Sequence, residues 1–108
     1  MKPVLVLVTC PTRVVARRIA SQLVKRRLAA CVNVVPSIES LFWWEGKLER
    51  ARETLLLIKT SIGRFEELER RIVALHPYDV PEVIALRIAT GHRPYLHWIR
   101  SSVNPKST

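Results

Sequence analysis

Three short segments of this chain are apolar at nearly every position. They are residues 4–8, 31–35 and 55–58, and valine and leucine dominate them. Continuous apolar runs of this length are typical of β-strands whose two side-chain faces are both buried. Because 108 residues are the usual size of one domain, the pattern predicts a single sheet that needs a cover on each of its faces.

Helical patterns follow two of these strands. Residues 13–28 carry apolar side chains at helical spacing, and the Thr12 hydroxyl can cap their first turn. A second helix is predicted to begin at Ser61, and a short third one at Pro94. The apolar stripes of the three helices are predicted to be Val15, Ala16, Ile19, Ala20, Leu23 and Leu28; Phe65, Leu68, Ile72 and Leu75; and Tyr95, Trp98 and Ile99.

A long β-hairpin is predicted for residues 37–60, with a tight turn at residues 45–47. Pro36 has no backbone N–H, so we expect a β-bulge or a sheet edge at this position. The hairpin is too long for one domain to cover. We therefore expect it to act as an arm that reaches another chain, with Trp43 and Trp44 near its tip.

The predicted order of elements is strand, helix, strand, strand, helix, strand, and then the last helix. This order is that of an α+β fold, the ferredoxin-like split βαβ sandwich, here with a long β-hairpin and an extra C-terminal helix. We expect residues 1–103 to form a single domain and residues 104–108 a flexible tail.

This fold class leaves one face of the sheet without a cover. The helices of a split βαβ sandwich lie on a single face, whereas the apolar runs require both faces to be buried. A bare apolar sheet would aggregate, and the sequence contains no second domain that could cover it. We therefore predict an obligate homo-oligomer in which another copy covers this face, with closed-ring symmetry.

The chain is strongly basic, with 18 lysine and arginine residues against nine acidic ones and a formal charge of +9. On the second helix, Glu66 precedes Arg70 and Glu67 precedes Arg71 by four residues, a spacing that allows ion pairs and is typical of a solvated helix face. A nucleic-acid-binding function through the first helix is an alternative that this pairing disfavours. The unpaired bases of the first helix are Arg13, Arg17, Arg18, Lys25, Arg26 and Arg27.

Neither a membrane span nor an export signal is visible in the sequence. No apolar run approaches the ~18 residues that a span needs, and Met1 and Lys2 lead directly into the first strand without a cleavage-site pattern. The two cysteines, Cys10 and Cys31, are too few for a disulfide framework. We therefore expect a cytoplasmic protein with no membrane partner.

Residues 76–82 join the second helix to the last strand, and they bring several chemically active side chains close together. Pro77 and Pro81 stiffen this connector, so His76 and Glu82 are held in defined positions. Imidazole and carboxylate groups are both metal ligands and proton carriers. The alternative interpretation is a rigid turn whose polar groups only cap the backbone.

Cys31 is a third candidate ligand, on the second strand. A thiolate, an imidazole and a carboxylate suit copper or zinc, so Cys31, His76 and Glu82 form the predicted metal site. No local ligand spacing is present, and the fold must assemble this site. The alternative for Cys31 is a buried small apolar side chain.

A polar ligand pocket is the second candidate site. Lys59 ends an apolar strand and Glu82 starts the strand that is predicted to lie beside it, so the two can pair at a subunit boundary. Such a pocket could bind a small anion or could lock the assembly. No catalytic signature is visible, and we do not expect an enzyme. The predicted pocket residues are Asn33, Trp44, Lys59, Tyr78, Glu82 and Trp98.

Five segments add a more specific signal through their order and spacing. They are residues 28–33 (Leu-Ala-Ala-Cys-Val-Asn), 40–47 (Ser-Leu-Phe-Trp-Trp-Glu-Gly-Lys), 58–60 (Ile-Lys-Thr), 76–82 (His-Pro-Tyr-Asp-Val-Pro-Glu) and 95–98 (Tyr-Leu-His-Trp). In these segments the sequence resembles the CutA family of divalent-cation tolerance proteins, over nearly the whole chain. The resemblance implies a ferredoxin-like subunit, a tight homotrimer, a link to copper or other divalent metals, and an architecture similar to that of PII signalling proteins.

Three functional hypotheses follow. The first is a cytoplasmic homotrimer linked to divalent metal tolerance, which binds Cu(II) or another divalent metal weakly through His76, Glu82 and Cys31 and uses no organic cofactor. The second is a PII-like signalling module whose intersubunit pocket takes a small ligand. The third is a basic nucleic-acid-binding protein.

Overall fold

Strands and helices follow one another in the order that the sequence predicts. The structure is a computed structural model, and it describes residues 2–104. The strands are β1 (Pro3–Cys10), β2 (Cys31–Trp44), β3 (Lys47–Ser61) and β4 (Val83–Arg87). The helices are α1 (Arg13–Lys25), α2 (Phe65–Leu75) and α3 (Arg93–Val103), and a 3₁₀ turn, Ile62–Arg64, precedes α2. Of the predicted tail, residues 105–108 lie outside the described part of the chain.

The four strands form one antiparallel sheet in the order β2-β3-β1-β4. The prediction of an α+β fold with a four-stranded sheet and three helices is confirmed. One detail of the prediction is wrong, because β4 pairs with β1 and β1 separates it from β3. Glu82, which directly precedes β4, is therefore not beside the strand that carries Lys59.

One face of the sheet packs against α1 and α2 and forms the core. Side chains in β1 alternate strictly between fully buried and half-buried, as expected for a strand with two different faces. Burial of the core stabilises the fold by roughly 25 cal/mol per Å² of apolar surface. The buried core consists of Val4, Val6, Val8, Cys10, Ala16, Ile19, Leu23, Leu28, Ala29, Leu56, Ile58, Leu68 and Ile72.

The opposite face of the sheet is apolar and only partly covered within one chain. Helix α3 packs against β3 and β1 and covers one end of this face, where Tyr95 interacts with Cys31. On the edge strand β4, Ile84 and Leu86 remain 50% and 47% exposed. We call this surface the second apolar face; it comprises Leu5, Leu7, Leu55, Leu57, Ile84 and Leu86.

Helix α1 is shorter than the predicted 13–28 because of how its C-terminal end is closed. At its start, the Val15 N–H donates to Thr12 Oγ1 at 3.2 Å, as predicted. At its end, Arg27 adopts a left-handed conformation (φ 56°), and the Leu28 N–H turns back to the Leu23 carbonyl at 2.9 Å. This is the pattern of a Schellman motif, in which glycine is the usual left-handed residue.

The long hairpin forms as predicted. Its two-residue turn has positive φ at both Glu45 (49°) and Gly46 (77°), which matches the type I′ turn that suits twisted strands. A bulge at Pro36 and Ser37 interrupts β2, which is also an edge strand, so both expectations for Pro36 are met. Beyond the bulge, residues 38–53 form an arm, and residues 41–50 of this hairpin arm are all exposed.

The face of α2 that carries Glu66, Glu67 and Arg70 is exposed, and the ion pairs that its spacing allows do not form. Among residues 2–104, the ion pair on this helix joins Arg64 to Glu67, with 3.8 Å between Nη1 and Oε1. Side chains four residues apart on an exposed helix gain little from pairing, because water screens the charges and pairing restricts two flexible side chains. The acidic side chains at the start of α2 still favour the helix through its dipole.

Candidate functional site: an acidic cleft beside the hairpin arm

The connector between α2 and β4 is held in place by His76. This residue ends α2 in an extended conformation, as a residue before proline should. Its side chain is only 7% exposed, and its Nε2 lies 2.8 Å from the Thr9 carbonyl oxygen. Its Nδ1 accepts a hydrogen bond of 3.1 Å from the Tyr78 N–H. Nε2 must therefore carry the proton, and both ring nitrogens of the neutral imidazole are engaged.

These bonds match the alternative interpretation of the connector, a rigid turn whose polar groups satisfy backbone. A metal ion could reach His76 only if one of the two bonds were given up. The predicted role of His76 as a metal ligand stays a prediction.

Tyr78 extends from the connector to a buried carboxylate on β3. Its hydroxyl donates to Glu53 Oε2 at 2.7 Å, and Glu53 is only 6% exposed. Burial raises the pKa of Tyr78 above its usual range, and the hydrogen bond to Glu53 and the negative charge of that side chain raise it further. The phenol therefore stays protonated and remains a donor to Glu53.

Glu53 is a buried residue of this site that the sequence analysis did not identify. Residues alternate between the two faces of a strand, so Glu53 shares a face with Leu55 and Leu57. A carboxylate at the end of an apolar face is the signal that could have identified it. The negative charge of Glu53 also acts on Cys10. Burial is the larger cause that raises the pKa of the Cys10 thiol to about 11, and the charge of Glu53 is the smaller one.

A cleft of about 780 Å³ opens between the hairpin arm, the connector and the C-terminal end of β1. Four carboxylate side chains and three aromatic rings contribute to its walls, and no lysine or arginine of the described residues does so. We call it the acidic cleft. Its lining residues are Thr9, Glu39, Ser40, Leu41, Phe42, Trp44, Glu53, Pro77, Tyr78, Asp79, Val80 and Glu82.

The concentration of negative charge in this cleft contrasts with the rest of the chain. The protein has nine acidic residues in total and a formal charge of +9, yet four of the nine face this one cleft. Such an arrangement favours cations and repels anions. The small-anion alternative was predicted for a pocket at a subunit boundary that also includes Lys59, and it stays a prediction.

A second polar cluster lies at the opposite end of the sheet. The Lys59 ammonium donates to Asn33 Oδ1, and Cys31 is the cross-strand partner of Lys59. The Cys31 thiol lies 3.9 Å from the same Asn33 oxygen. Burial raises the pKa of the nearby Tyr95, and the interaction with Cys31 adds to this effect. Tyr95 in turn packs on Trp98, with 5.4 Å between ring centroids.

Within one chain, the predicted pocket is thus divided between the two ends of the sheet. The acidic cleft contains Trp44, Tyr78 and Glu82. The other cluster contains Asn33 and Lys59, and Trp98 lies beside it on α3.

The distance follows from the strand register. Lys59 pairs with Leu5 of β1, whereas Leu55 pairs with Thr9 at the cleft. Four residues of strand separate the two ends by ~13 Å. Lys59 and Glu82 therefore do not pair within one chain, and Cys31 is likewise far from His76. In residues 2–104, no three histidine, cysteine or acidic side chains are grouped as a metal site.

No helix in the described part of the chain is both long enough and apolar enough to cross a membrane.

Comparison with known proteins gives one consistent result. The model of the CutA1 divalent ion tolerance protein family matches residues 4–102. The divalent-cation tolerance protein CutA of Thermus thermophilus is 52% identical over 97 residues, which are 90% of this chain and 94% of that protein. The chloroplastic protein CutA 1 of Oryza sativa is 46% identical over 92% of this chain, which spans only 56% of the rice protein.

Solved structures agree with this result. The Thermus thermophilus structure, at 50% identity, covers 93% of this chain and 97% of its own, with a TM-score of 0.91. The periplasmic divalent cation tolerance protein CutA of Archaeoglobus fulgidus, at 39% identity, covers 94% of this chain and 99% of its own, also with a TM-score of 0.91. The family match, the sequence identity and the shared fold extend over nearly all of the described residues, and the chain belongs to the CutA1 family of divalent ion tolerance proteins.

Proposed function

We propose that this chain acts as a cytoplasmic homotrimer that binds divalent cations weakly in the acidic cleft, with Glu82 among the ligands. The observation that carries this proposal is that four carboxylates line one cleft that no basic side chain of the described residues lines. Because no three of these carboxylates are grouped as a metal site, we expect the binding to be weak. Carboxylate oxygens are ligands for divalent cations. The family name, divalent ion tolerance, supports the same assignment.

The trimer is supported by the second apolar face. Ile84 and Leu86 are half-exposed in one chain, next to the leucines of β1, and a surface of this kind is normally buried in an interface. The chain is elongated, with dimensions of 45 × 26 × 22 Å that include the hairpin arm. Trp43, near the tip of this arm, is 73% exposed. Three copies is the number that the CutA resemblance implies, and a closed ring leaves no apolar face uncovered.

The cytoplasmic location is supported by the thiols of Cys10 and Cys31, which are both free. Relatives with chloroplastic and periplasmic names show that the fold occurs in other compartments as well. The location is therefore a proposal for this chain alone.

Calorimetric titration of Cu(II) into the metal-free protein tests the metal proposal. We expect weak binding to the wild type, at least about tenfold weaker binding to Glu82→Gln because a charged ligand is lost, and unchanged binding to Glu69→Gln. Glu69 is exposed on α2, so this control removes the same charge away from the cleft. Equal affinities of the two variants would contradict the proposal.

The same titration tests the predicted ligands His76 and Cys31. If His76 binds the metal, then His76→Gln weakens binding, although the glutamine amide can still donate to the Thr9 carbonyl. If the carboxylates suffice, this variant binds as the wild type does. Cys31→Ser tests the thiol in the same way.

The second functional alternative, a small-ligand-binding module, gains support from the volume and the aromatic walls of the acidic cleft.

The nucleic-acid alternative rests on the exposed lysine and arginine side chains of α1. Binding to duplex DNA that persists at physiological salt would support it, since counterion release makes weak binding strongly salt-dependent.

A further inference from the structure

We propose that the acidic cleft binds a small organic cation, a ligand with an ammonium or guanidinium group that pairs with Glu53 and contacts the aromatic walls. This inference goes beyond divalent metal binding and does not depend on it. It rests on the burial of Glu53, on the kind of side chains around it and on the size of the cleft.

Glu53 is the first line of support. Its carboxylate is almost fully buried and receives one hydrogen bond, from the Tyr78 hydroxyl. Among residues 2–104, no basic side chain lies within ion-pair distance of it. The neighbouring Arg52 lies on the opposite face of β3, because successive residues of a strand alternate. A buried carboxylate without a positive partner is costly, and a cation that enters the cleft would remove this cost.

The aromatic walls indicate an organic cation. Phe42, Trp44 and Tyr78 all line the cleft, and each ring is partly exposed. Ring faces attract ammonium and guanidinium groups when the cation lies within ~6 Å of the ring centroid. A bare metal ion, in contrast, gains little from rings and needs several oxygen atoms at close range. A volume of about 780 Å³ is that of a site for a small organic molecule.

The cleft is also rigid on one side. His76 fixes the connector through its hydrogen bonds to Thr9 and Tyr78. Pro77 and Pro81 restrict the backbone of the connector that leads to Glu82. A ligand that enters a preformed cleft loses less affinity to the ordering of side chains. The connector therefore holds Tyr78 and Glu82 in place before a ligand enters.

Calorimetric titration with agmatine tests the inference. Agmatine carries a guanidinium group and an ammonium group on a short aliphatic chain. The protein is first freed of metal with a chelator, which is then removed, so that the result does not depend on the metal proposal. We expect one agmatine per chain and an affinity that falls as salt is raised. Glu53→Gln should bind at least about tenfold more weakly, whereas the control Glu69→Gln should match the wild type.

Tyr78→Phe keeps the test decisive if Glu53→Gln fails to fold. It retains the ring and frees the Glu53 carboxylate from its internal hydrogen bond, so agmatine should bind at least as tightly as in the wild type. Absence of agmatine binding at millimolar concentration would overturn the inference. Equal affinities for Glu53→Gln and Glu69→Gln, or preferential binding of the dianion succinate, would also overturn it. Copper binding without agmatine binding would support the metal proposal and overturn the organic-cation inference.

Discussion

At the scale of single residues, the main result is a chain of contacts from His76 through Tyr78 to Glu53. The imidazole is neutral and bonded at both nitrogens, and the phenol donates to a carboxylate that the fold has buried. Both nitrogens of His76 and the hydroxyl of Tyr78 have hydrogen-bond partners, which explains how the connector can hold these side chains away from water. Glu53 accepts one hydrogen bond, from Tyr78. The sequence analysis assigned the chemistry of this connector to His76 and Glu82, whereas the contacts of the connector involve His76, Tyr78 and Glu53.

Cys10 gives a prediction about pH at this scale. Its folded-state pKa of about 11 lies above the usual value of 9.0. The folded state therefore favours the protonated thiol, and its contribution to stability is complete below pH 9 and is lost as the pH rises to 11. We expect the free energy of unfolding of the wild type, relative to Cys10→Ala, to fall by roughly 2 kcal/mol between pH 8 and 11.

Denaturant unfolding of both proteins at several pH values measures this difference. Groups that titrate in both proteins cancel in the comparison. A difference that stays constant from pH 8 to 11 would mean that the Cys10 thiol is not perturbed by its surroundings.

At the scale of elements, the closure of α1 connects two helices that are distant in sequence. Arg27 occupies the left-handed position of the Schellman motif, and its guanidinium donates to the Ser102 carbonyl of α3 at 3.0 Å. A residue other than glycine in this conformation costs about 1–2 kcal/mol. The hydrogen bond to α3 offsets part of this cost and explains why arginine is found there.

Substitutions of Arg27 test this account. Arg27→Ala loses the hydrogen bond and keeps the backbone strain, so it should lower the free energy of unfolding by about 1 kcal/mol. Arg27→Gly loses the same bond but removes the strain, so it should be more stable than Arg27→Ala by about 1 kcal/mol. Thermal or denaturant unfolding of the two variants would refute the account if alanine were the more stable residue.

The elements were largely predictable because local patterns determine them. The hairpin turn at Glu45 and Gly46, the cap at Thr12 and the apolar runs all depend on neighbouring residues. The order of strands across the sheet depends on contacts between distant residues, and no local pattern revealed that β1 separates β4 from β3. For the same reason, the sequence placed Lys59 beside Glu82 and did not identify the pairing of Tyr78 with Glu53.

At the scale of the whole molecule, the two surfaces that remain unexplained in one chain are the second apolar face and the acidic cleft. The second apolar face supports the proposal of a trimer, and the acidic cleft supports the proposal of cation binding. The two surfaces need different partners. An apolar face is buried by another chain, whereas an acidic cleft attracts a positively charged ligand.

Two lysine substitutions distinguish an interface from an ordinary exposed surface. Ile84 on the second apolar face and Val73 on α2 are both 50% exposed in one chain. If another copy covers Ile84, then Ile84→Lys should lower the assembled mass or cause aggregation, because a charge would be buried there. Val73→Lys should leave the mass of a trimer unchanged. Light scattering compares the two, and equal behaviour would argue against an interface at Ile84.

The location of a bound cation is the most direct test of the central claim, that the acidic cleft is the functional site. Cu(II) is paramagnetic and broadens the NMR signals of amide groups near it, so substoichiometric Cu(II) added to ¹⁵N-labelled protein maps its position. We predict that the amide signals of Ser40, Asp79 and Glu82 broaden first, since these residues line the cleft. His92 and His97 are the other two histidines of the chain. Broadening centred on them, or on Cys31 at the other end of the sheet, would contradict the account.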